Sequence, residues 1–210
     1  MSAIMTSWLI EPDNDPLAYA VHVYAGESSS CGPACVLIAA RFLDLEPPAG
    51  ATSDQSTLER IEGTMRAATP GWTSRNEYHR ALRELGAQPH DMDGAPLHSI
   101  ADEVRQGNPV IVIGRWPWSD SLALHAIVVT GYDDGHTLPW IVNDPAFPRP
   151  YRAHNQEMRL FRRERPARPA ISVRPKSNTA DDTNTSKIHP VTWLVLLIGG
   201  AGLAARFVRP

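Results

Sequence analysis

The sequence predicts an α+β fold in which an N-terminal helical lobe packs on an antiparallel β-sheet. Apolar residues recur at helical spacing through the first half of the chain, whereas the later runs Val110–Ile113 and Ala123–Tyr132 are rich in β-branched residues. Helices followed by strands are typical of α+β domains. A hydrophobic segment at 191–208 adds a C-terminal tail helix to the prediction.

Composition limits both the architecture and the function. The 210 residues, 42% of them hydrophobic and 20% charged, allow one substantial core with an appendage. The net charge of -3, with both signs interspersed, provides no basic field for nucleic acid, so no nucleic-acid partner is expected. Two cysteines, Cys31 and Cys35, are too few and too close together for a disulfide scaffold. The N-terminus shows no secretory signal.

The first helix places a cysteine at its N-terminus. Glu27 to Ser30 offer side chains that cap a helix, and apolar residues then follow at helical spacing from Cys31 to Leu43. Pro33 supports this start, because proline is tolerated in the first turn. Cys35 lies one turn further on the apolar face, which predicts a core position.

Three further helices and three strands complete the predicted domain. The helices are expected at about 53 to 69, 74 to 85 and 97 to 106. Ser74 and Glu77 form a capping box at the start of the third helix, and Gly86 ends it. From Pro109 the pattern becomes β-rich, and the turn residues 133–135 predict a hairpin between the second strand and Trp140–Asn143.

The domain prediction divides the chain at 165 and 190. Residues 1–165 form the globular domain, and 166–190 are too polar and proline-rich to pack, which indicates a flexible linker. We interpret 191–208 as a membrane anchor, with a buried core helix as the alternative; Arg206 can snorkel and so lengthen an apolar run of about fifteen residues. Its small residues allow a helix–helix dimer in the membrane.

The charges around the hydrophobic segment predict its orientation. Lysines and arginines before the segment outnumber those after it, which favours an inner-membrane anchor with the globular domain in the cytoplasm. The alternatives are a cytoplasmic protein or a delivered effector.

Cys31 has the local environment of a nucleophile. A helix N-terminus and a nearby imidazolium both stabilise a thiolate. His125 begins an apolar strand that would hold its ring rigidly, and a third group should orient that ring. Asp144 follows the next strand and is our prediction for this orienting group, with the adjacent Asn143 as the alternative. The remaining histidines lack ligand-like spacing, so neither a metal site nor a cofactor is expected.

Four segments occur in the order seen in a known group of enzymes. They are Ser30-Cys-Gly-Pro-Ala-Cys35, Gly107-Asn-Pro-Val-Ile-Val112, His125-Ala-Ile-Val-Val-Thr-Gly-Tyr132 and Asn143-Asp-Pro-Ala146. Over about residues 20 to 150 the chain resembles the bacteriocin-processing (double-glycine leader) peptidases and related bacterial papain-like cysteine proteases. The resemblance implies a papain-like fold, a Cys31-His125-Asp144 triad, and a peptide or protein substrate hydrolysed through a thioester.

The sequence departs from that family at the oxyanion site. Such peptidases usually carry a glutamine about six residues before the cysteine, where the amide binds the developing oxyanion; here the position is Ala25. The candidates to replace it, beside the Cys31 backbone N–H, are Glu27, Ser28 and Ser29. Only a hydroxyl donates a hydrogen bond, since an ionised Glu27 has no proton to give.

The aromatic loop before His125 and the wider function leave alternatives open. Trp116 and Trp118 either border the substrate cleft or have a packing role. The leading functional hypothesis is a cysteine peptidase. One alternative is an amidase or transamidase that acts as a bacterial toxin or effector. The other, motivated by Ala25, is a degenerate domain that binds a leader peptide without cutting it.

Overall fold

The computed structural model describes residues 10–12, 16–25, 31–45, 54–66, 73–115, 124–163 and 169–176. These stretches form six helices and seven strands. The helices are α1 (Pro16–Val21), α2 (Cys31–Phe42), α3 (Asp54–Arg66), α4 (Arg75–Glu84), α5 (Leu97–Arg105) and α6 (Asn155–Arg163). The strands are β1 (Ile10–Pro12), β2 (Ala87–Asp91), β3 (Val110–Gly114), β4 (His125–Tyr132), β5 (Trp140–Asn143), β6 (Tyr151–Ala153) and β7 (Ala170–Pro175).

All seven strands join one sheet in the order β1-β6-β5-β4-β3-β7-β2. Each neighbouring pair is antiparallel, which confirms the predicted α+β class and sheet type. The predicted hairpin is also confirmed, because β4 pairs with β5 across the turn after Tyr132. A register shift between Val129 and Gly131 interrupts this pairing, as expected of a β-bulge.

The helical lobe packs on one face of the sheet around α2. Residues 32–40 of this helix are all buried, because α3 and α4 cover the sides that the sheet leaves open. A helix that is apolar on every side is stable only in such a position. The predicted capping box at the start of α4 is confirmed, with the Glu77 carboxylate accepting from the Ser74 backbone N–H.

The opposite face of the sheet carries α5 and α6. Successive β4 residues alternate between the two cores: Ala126 and Val128 pack with α2, whereas Ile127 and Val129 pack with α5 and α6. The strands at the centre of the sheet are therefore apolar on both sides. This alternation determines which side chains can meet at the sheet's end, where the candidate site lies.

Strand β7 corrects the predicted linker. Residues 170–173 are fully buried, and β7 pairs with β3 on one side and β2 on the other. The prolines around this segment predict an unpacked chain. Its short apolar run nevertheless packs, because it occupies the space between β2 and β3, which are distant in sequence. The predicted boundary at residue 165 therefore disagrees with the structure, since Ala170–Pro175, inside the predicted linker, belongs to the sheet.

The predicted C-terminal helix at 191–208 lies outside the described residues, as does 177–190. None of the helices in the described stretches is long and apolar enough to cross a membrane.

Candidate active site

The structure places the predicted nucleophile at the start of a helix. Cys31 is the first residue of α2, and its side chain is half-buried. Its thiol shares a hydrogen bond with His125 and also receives one from the backbone N–H of Ala126. The helix dipole and these two donors all favour a negative sulfur.

His125 and Asp144 are joined by a short hydrogen bond. Nε2 of His125 donates to Oδ1 of Asp144 at 2.5 Å, which leaves Nδ1 of the ring for the thiol of Cys31. The Asp144 side chain is completely buried, whereas 21% of the His125 side chain is exposed. One end of the ring thus faces a buried anion, and the structure brings the three predicted residues together.

Strand alternation explains why Asp144 rather than Asn143 reaches the histidine. Asn143 pairs with Val128, so its side chain lies on the α2 face of the sheet. There its amide Nδ2 donates to the Thr130 hydroxyl at 2.9 Å. Asp144, one residue later, lies on the same face as His125. The structure therefore gives Asn143 a different set of partners from the alternative role predicted for it.

The electrostatics of the pair favour a charged thiolate and imidazolium. Burial disfavours the Cys31 thiolate, but the hydrogen bond and positive charge of His125 outweigh it and hold the pKa of the thiol below its ordinary value. Burial likewise disfavours the imidazolium. The charge and hydrogen bond of Asp144, assisted by Cys31, prevail and raise the pKa of His125 to about 10. The ion pair is therefore the expected form near neutral pH.

Cys35 provides an internal contrast. It lies one turn along α2 and is fully buried in the core, as predicted from its place on the apolar face. Burial, and secondarily the negative charges of Cys31 and Asp144, raise the pKa of this thiol well above its ordinary value. The pKa values of two free thiols on one helix are thus shifted in opposite directions, downward for Cys31 and upward for Cys35.

Several residues that the sequence analysis did not single out support the site. Oδ1 of Asp144 also accepts the backbone N–H of Ala146 at 2.9 Å, and Oδ2 accepts the buried Tyr151 hydroxyl at 3.2 Å. The Phe161 ring lies edge-on to His125, with ring centroids 6.5 Å apart. Phe161 approaches this closely because Gly114, the partner of His125 in the β3–β4 pairing, has no side chain.

The predicted oxyanion and cleft residues fall outside the described stretches. These are Glu27, Ser28, Ser29, Trp116 and Trp118. Ala25, at the position where the resemblance implies a glutamine, is described, and its backbone N–H donates to the Pro145 carbonyl at 2.9 Å. A methyl side chain offers no hydrogen-bond donor, so within the described residues Ala25 cannot replace the amide.

A thiol at a helix N-terminus, paired with a histidine on an antiparallel sheet, defines a cysteine peptidase of the papain-like class. Residues 13–163 match the model of the Peptidase_C39 like family, and the chain belongs to this family. The match ends before β7, although that strand completes the sheet.

Solved structures show the same fold at low sequence identity. One is a C39-like peptidase from Bacillus anthracis, with a TM-score of 0.51 and 13% identity over 74% of this chain and 96% of that one. Another is the peptidase domain of Streptococcus ComA, a bifunctional ABC transporter involved in quorum sensing. It has a TM-score of 0.50 and 18% identity over 73% of this chain and 97% of that one. No curated relative matches the sequence.

Proposed function

We propose that the protein hydrolyses a peptide bond with Cys31 as nucleophile, His125 as general acid and base, and Asp144 as the orienting group. The observation that carries this proposal is the geometry of the three groups: Cys31 begins α2 and hydrogen-bonds His125, whose Nε2 lies 2.5 Å from Oδ1 of the buried Asp144. These contacts lower the pKa of Cys31 and raise that of His125 to about 10. A packing cysteine has no reason to be ionised, as Cys35 on the same helix illustrates.

The chemistry follows from this ion pair. The Cys31 thiolate attacks the scissile carbonyl carbon, and the carbonyl electrons move to oxygen to form a tetrahedral oxyanion. When the C–N bond breaks, His125 gives its proton to the departing amine and a thioester remains on Cys31. Water then attacks the thioester, with neutral His125 taking its proton, and the carboxylic acid and free thiolate are released. Asp144 holds the ring so that one nitrogen faces the sulfur throughout.

The substrate is proposed to be a peptide or protein. The resemblance to leader peptidases favours a precursor whose leader ends in two glycines. Glycine residues present no side chains, so a narrow cleft beside Cys31 would accept them and exclude larger residues.

The test compares two cysteine variants of the same helix. Cys31→Ala should abolish cleavage of a precursor peptide library, read as new termini by mass spectrometry, because the nucleophile is gone. Cys35→Ala is the matched control, since it removes the buried thiol and leaves the reactive one. Wild-type cleavage by Cys31→Ala would refute the role of Cys31.

The orienting group is tested by a similar pair. Asp144→Ala should lower kcat by a thousandfold or more, by analogy with the roughly 10⁴-fold loss on neutralising a triad aspartate. Asn143→Ala should have a smaller effect, because its side chain contacts Thr130 and His22 and does not bond His125 directly. A larger loss of kcat in Asn143→Ala than in Asp144→Ala would assign the orienting role to Asn143.

Ala25 favours a second candidate, a domain that grips a leader peptide without cutting it. Loss of one oxyanion donor typically lowers the rate about a hundred- to a thousandfold. Ala25→Gln distinguishes the candidates, because a peptidase short of one donor should gain kcat when the amide is restored. A domain that only binds should show leader affinity, no turnover in either form and no thioester trapped at low pH. An amidase or transamidase would instead be revealed by cleavage of peptidoglycan fragments or by transfer to an added amine.

A further inference from the structure

His22 joins two segments of the chain that are far apart in sequence. Its Nε2–H donates to the Phe147 backbone carbonyl at 2.9 Å, and its Nδ1 lies 2.9 Å from the Asn143 side-chain amide oxygen. Both ring nitrogens thus lie at hydrogen-bond distance from an acceptor oxygen, and the ring is partly buried. A neutral imidazole has one N–H, so it donates to one of these oxygens at a time while the other stays in contact with the ring.

The two partners of His22 flank Asp144. Asn143 is the last residue of β5, and the following loop places Asp144 three residues before Phe147, whose N–H donates to the Asp144 carbonyl at 3.0 Å. A backbone hydrogen bond joins the same segments, because the Ala25 N–H donates to the Pro145 carbonyl at 2.9 Å. The chain from His22 to Ala25 therefore lies along the loop that carries the triad carboxylate.

The Asn143 side chain completes this connection. It is fully buried, and its Nδ2 donates to the Thr130 hydroxyl on β4, the strand that begins with His125. A continuous path of side chains thus runs from the β4 strand through Asn143 to His22. From there it returns through Phe147 to the far end of the Asp144 loop.

We propose that His22 is a positioning residue that fixes the Asp144 loop against β4 and so holds His125 in its orientation towards Cys31. The inference rests on the proposed function, since it concerns the same triad. His22 acts through Asp144 and does not touch the reacting atoms. Small displacements matter here, because a misplacement of about 1 Å in a catalytic group can lower a rate a hundredfold.

Removal of the ring should loosen the carboxylate without emptying the site. His22→Ala leaves the Asn143 amide and the Phe147 carbonyl without this partner, so the loop can move away from β4. In part of the population, Oδ1 of Asp144 then lies farther from Nε2 of His125 than the 2.5 Å of the wild-type structure. In those molecules the carboxylate stabilises the imidazolium less. The expected effect is a tenfold to hundredfold loss of kcat with little change in KM.

The experiment measures the ionisation of Cys31 as well as turnover. The rate of iodoacetamide alkylation is followed against pH on the full chain, with mass spectrometry reporting Cys31. His22→Ala should shift the alkylation midpoint upward, towards that of an ordinary thiol. His22→Gln, which can donate to the Phe147 carbonyl, should recover part of both the midpoint and kcat. The control is His136→Ala, since His136 also hydrogen-bonds backbone, at Leu138, but at the opposite end of β4.

A double-mutant cycle shows whether His22 acts through the carboxylate. In an Asp144→Asn background, His22→Ala should cause no further shift in the midpoint. An equal shift in both backgrounds, or an unchanged midpoint in His22→Ala, would overturn the proposal even if the wild-type protein cleaves peptides. A shifted midpoint in a protein that cleaves nothing would support the positioning role and count against the proposed hydrolysis. If His22→Ala is unfolded by circular dichroism, His22→Gln takes its place in the same cycle.

Discussion

Replacement of Gly114 by alanine tests whether close packing behind His125 supports the site. A Cβ at this position would overlap the Phe161 carbonyl oxygen and meet ring carbons Cδ1 and Cε1 at 2.7 and 2.8 Å. Carbon atoms normally approach to about 3.5 Å, so the ring and its backbone must retreat by roughly 0.7 Å or more. The Phe161 carbonyl, which accepts the Arg115 N–H at 2.9 Å, would move with them.

The change in the free energy of unfolding caused by Gly114→Ala has three contributions. Overpacking costs about 1–3 kcal/mol, and the weakened hydrogen bond about 1 kcal/mol more. Alanine restores roughly 0.5–1 kcal/mol, because the unfolded chain loses some of glycine's freedom. Gly114→Ala should therefore lower the free energy of unfolding by about 2 kcal/mol and Tm by about 4–8 °C. It should also reduce kcat, since the displaced Phe161 ring no longer restrains His125.

The assay is thermal and urea unfolding followed by circular dichroism. Gly63 is the matched control, because it is an exposed residue inside α3 with nothing within 4 Å of an added Cβ. Gly63→Ala should stabilise the protein by roughly 0.5–1 kcal/mol, the helix propensity difference alone. A Gly114→Ala protein as stable as the Gly63→Ala protein would refute the packing argument.

Four further predictions concern charge and hydrogen bonding. Iodoacetamide at pH 6 should modify Cys31 and spare Cys35, as peptide mapping would show; modification of both at similar rates would contradict the opposite pKa shifts. Activity should decline as pH rises through about 10, where His125 loses the proton that its raised pKa retains; a pH–rate profile that falls near 7 would contradict this. Although burial opposes ionisation of Glu103, Arg174 and Ser172 lower the pKa of that carboxyl, so its stabilising contribution is present above the ordinary carboxyl pKa and is lost as pH falls through the folded value. Glu103→Gln should accordingly flatten the acid side of a plot of Tm against pH. Tyr151→Phe should lower kcat about fivefold, equivalent to roughly 1 kcal/mol for one hydrogen bond, while unfolding stays cooperative.

Local patterns predicted the elements whose cause is local. The N-terminus of α2 at Cys31 and the capping box of Ser74 and Glu77 depend on neighbours within a few residues, and both were predicted. The β4–β5 hairpin likewise follows from a short run of turn residues. These features have strong signals because one turn or one helix end contains all the atoms involved.

Features that depend on distant partners were missed. The apolar run of β7 is too short to predict a strand from the sequence. The strand is stabilised by β2 and β3 on either side and by the Ser172 hydroxyl, which donates to Glu103 at 2.6 Å. His22 is 121 residues from Asn143, so nothing around it in the sequence indicates the contact. Which of the side chains of Asn143 and Asp144 faces His125 depends on the pairing of Asn143 with Val128, which the sequence alone does not reveal.

The position of β7 has a consequence for synthesis on the ribosome. Among the strands of the described residues β7 is translated last, yet it lies between β2 and β3, which are made long before it. At 5–20 residues per second, the stretch from Asp91 to Ala170 takes roughly 4–16 s to emerge. During that time β2 has no partner and β3 presents an open edge, a template for pairing with other nascent chains. The hazard can be measured by comparing the soluble yield of chains that end at residue 165 with that of chains that end at residue 177.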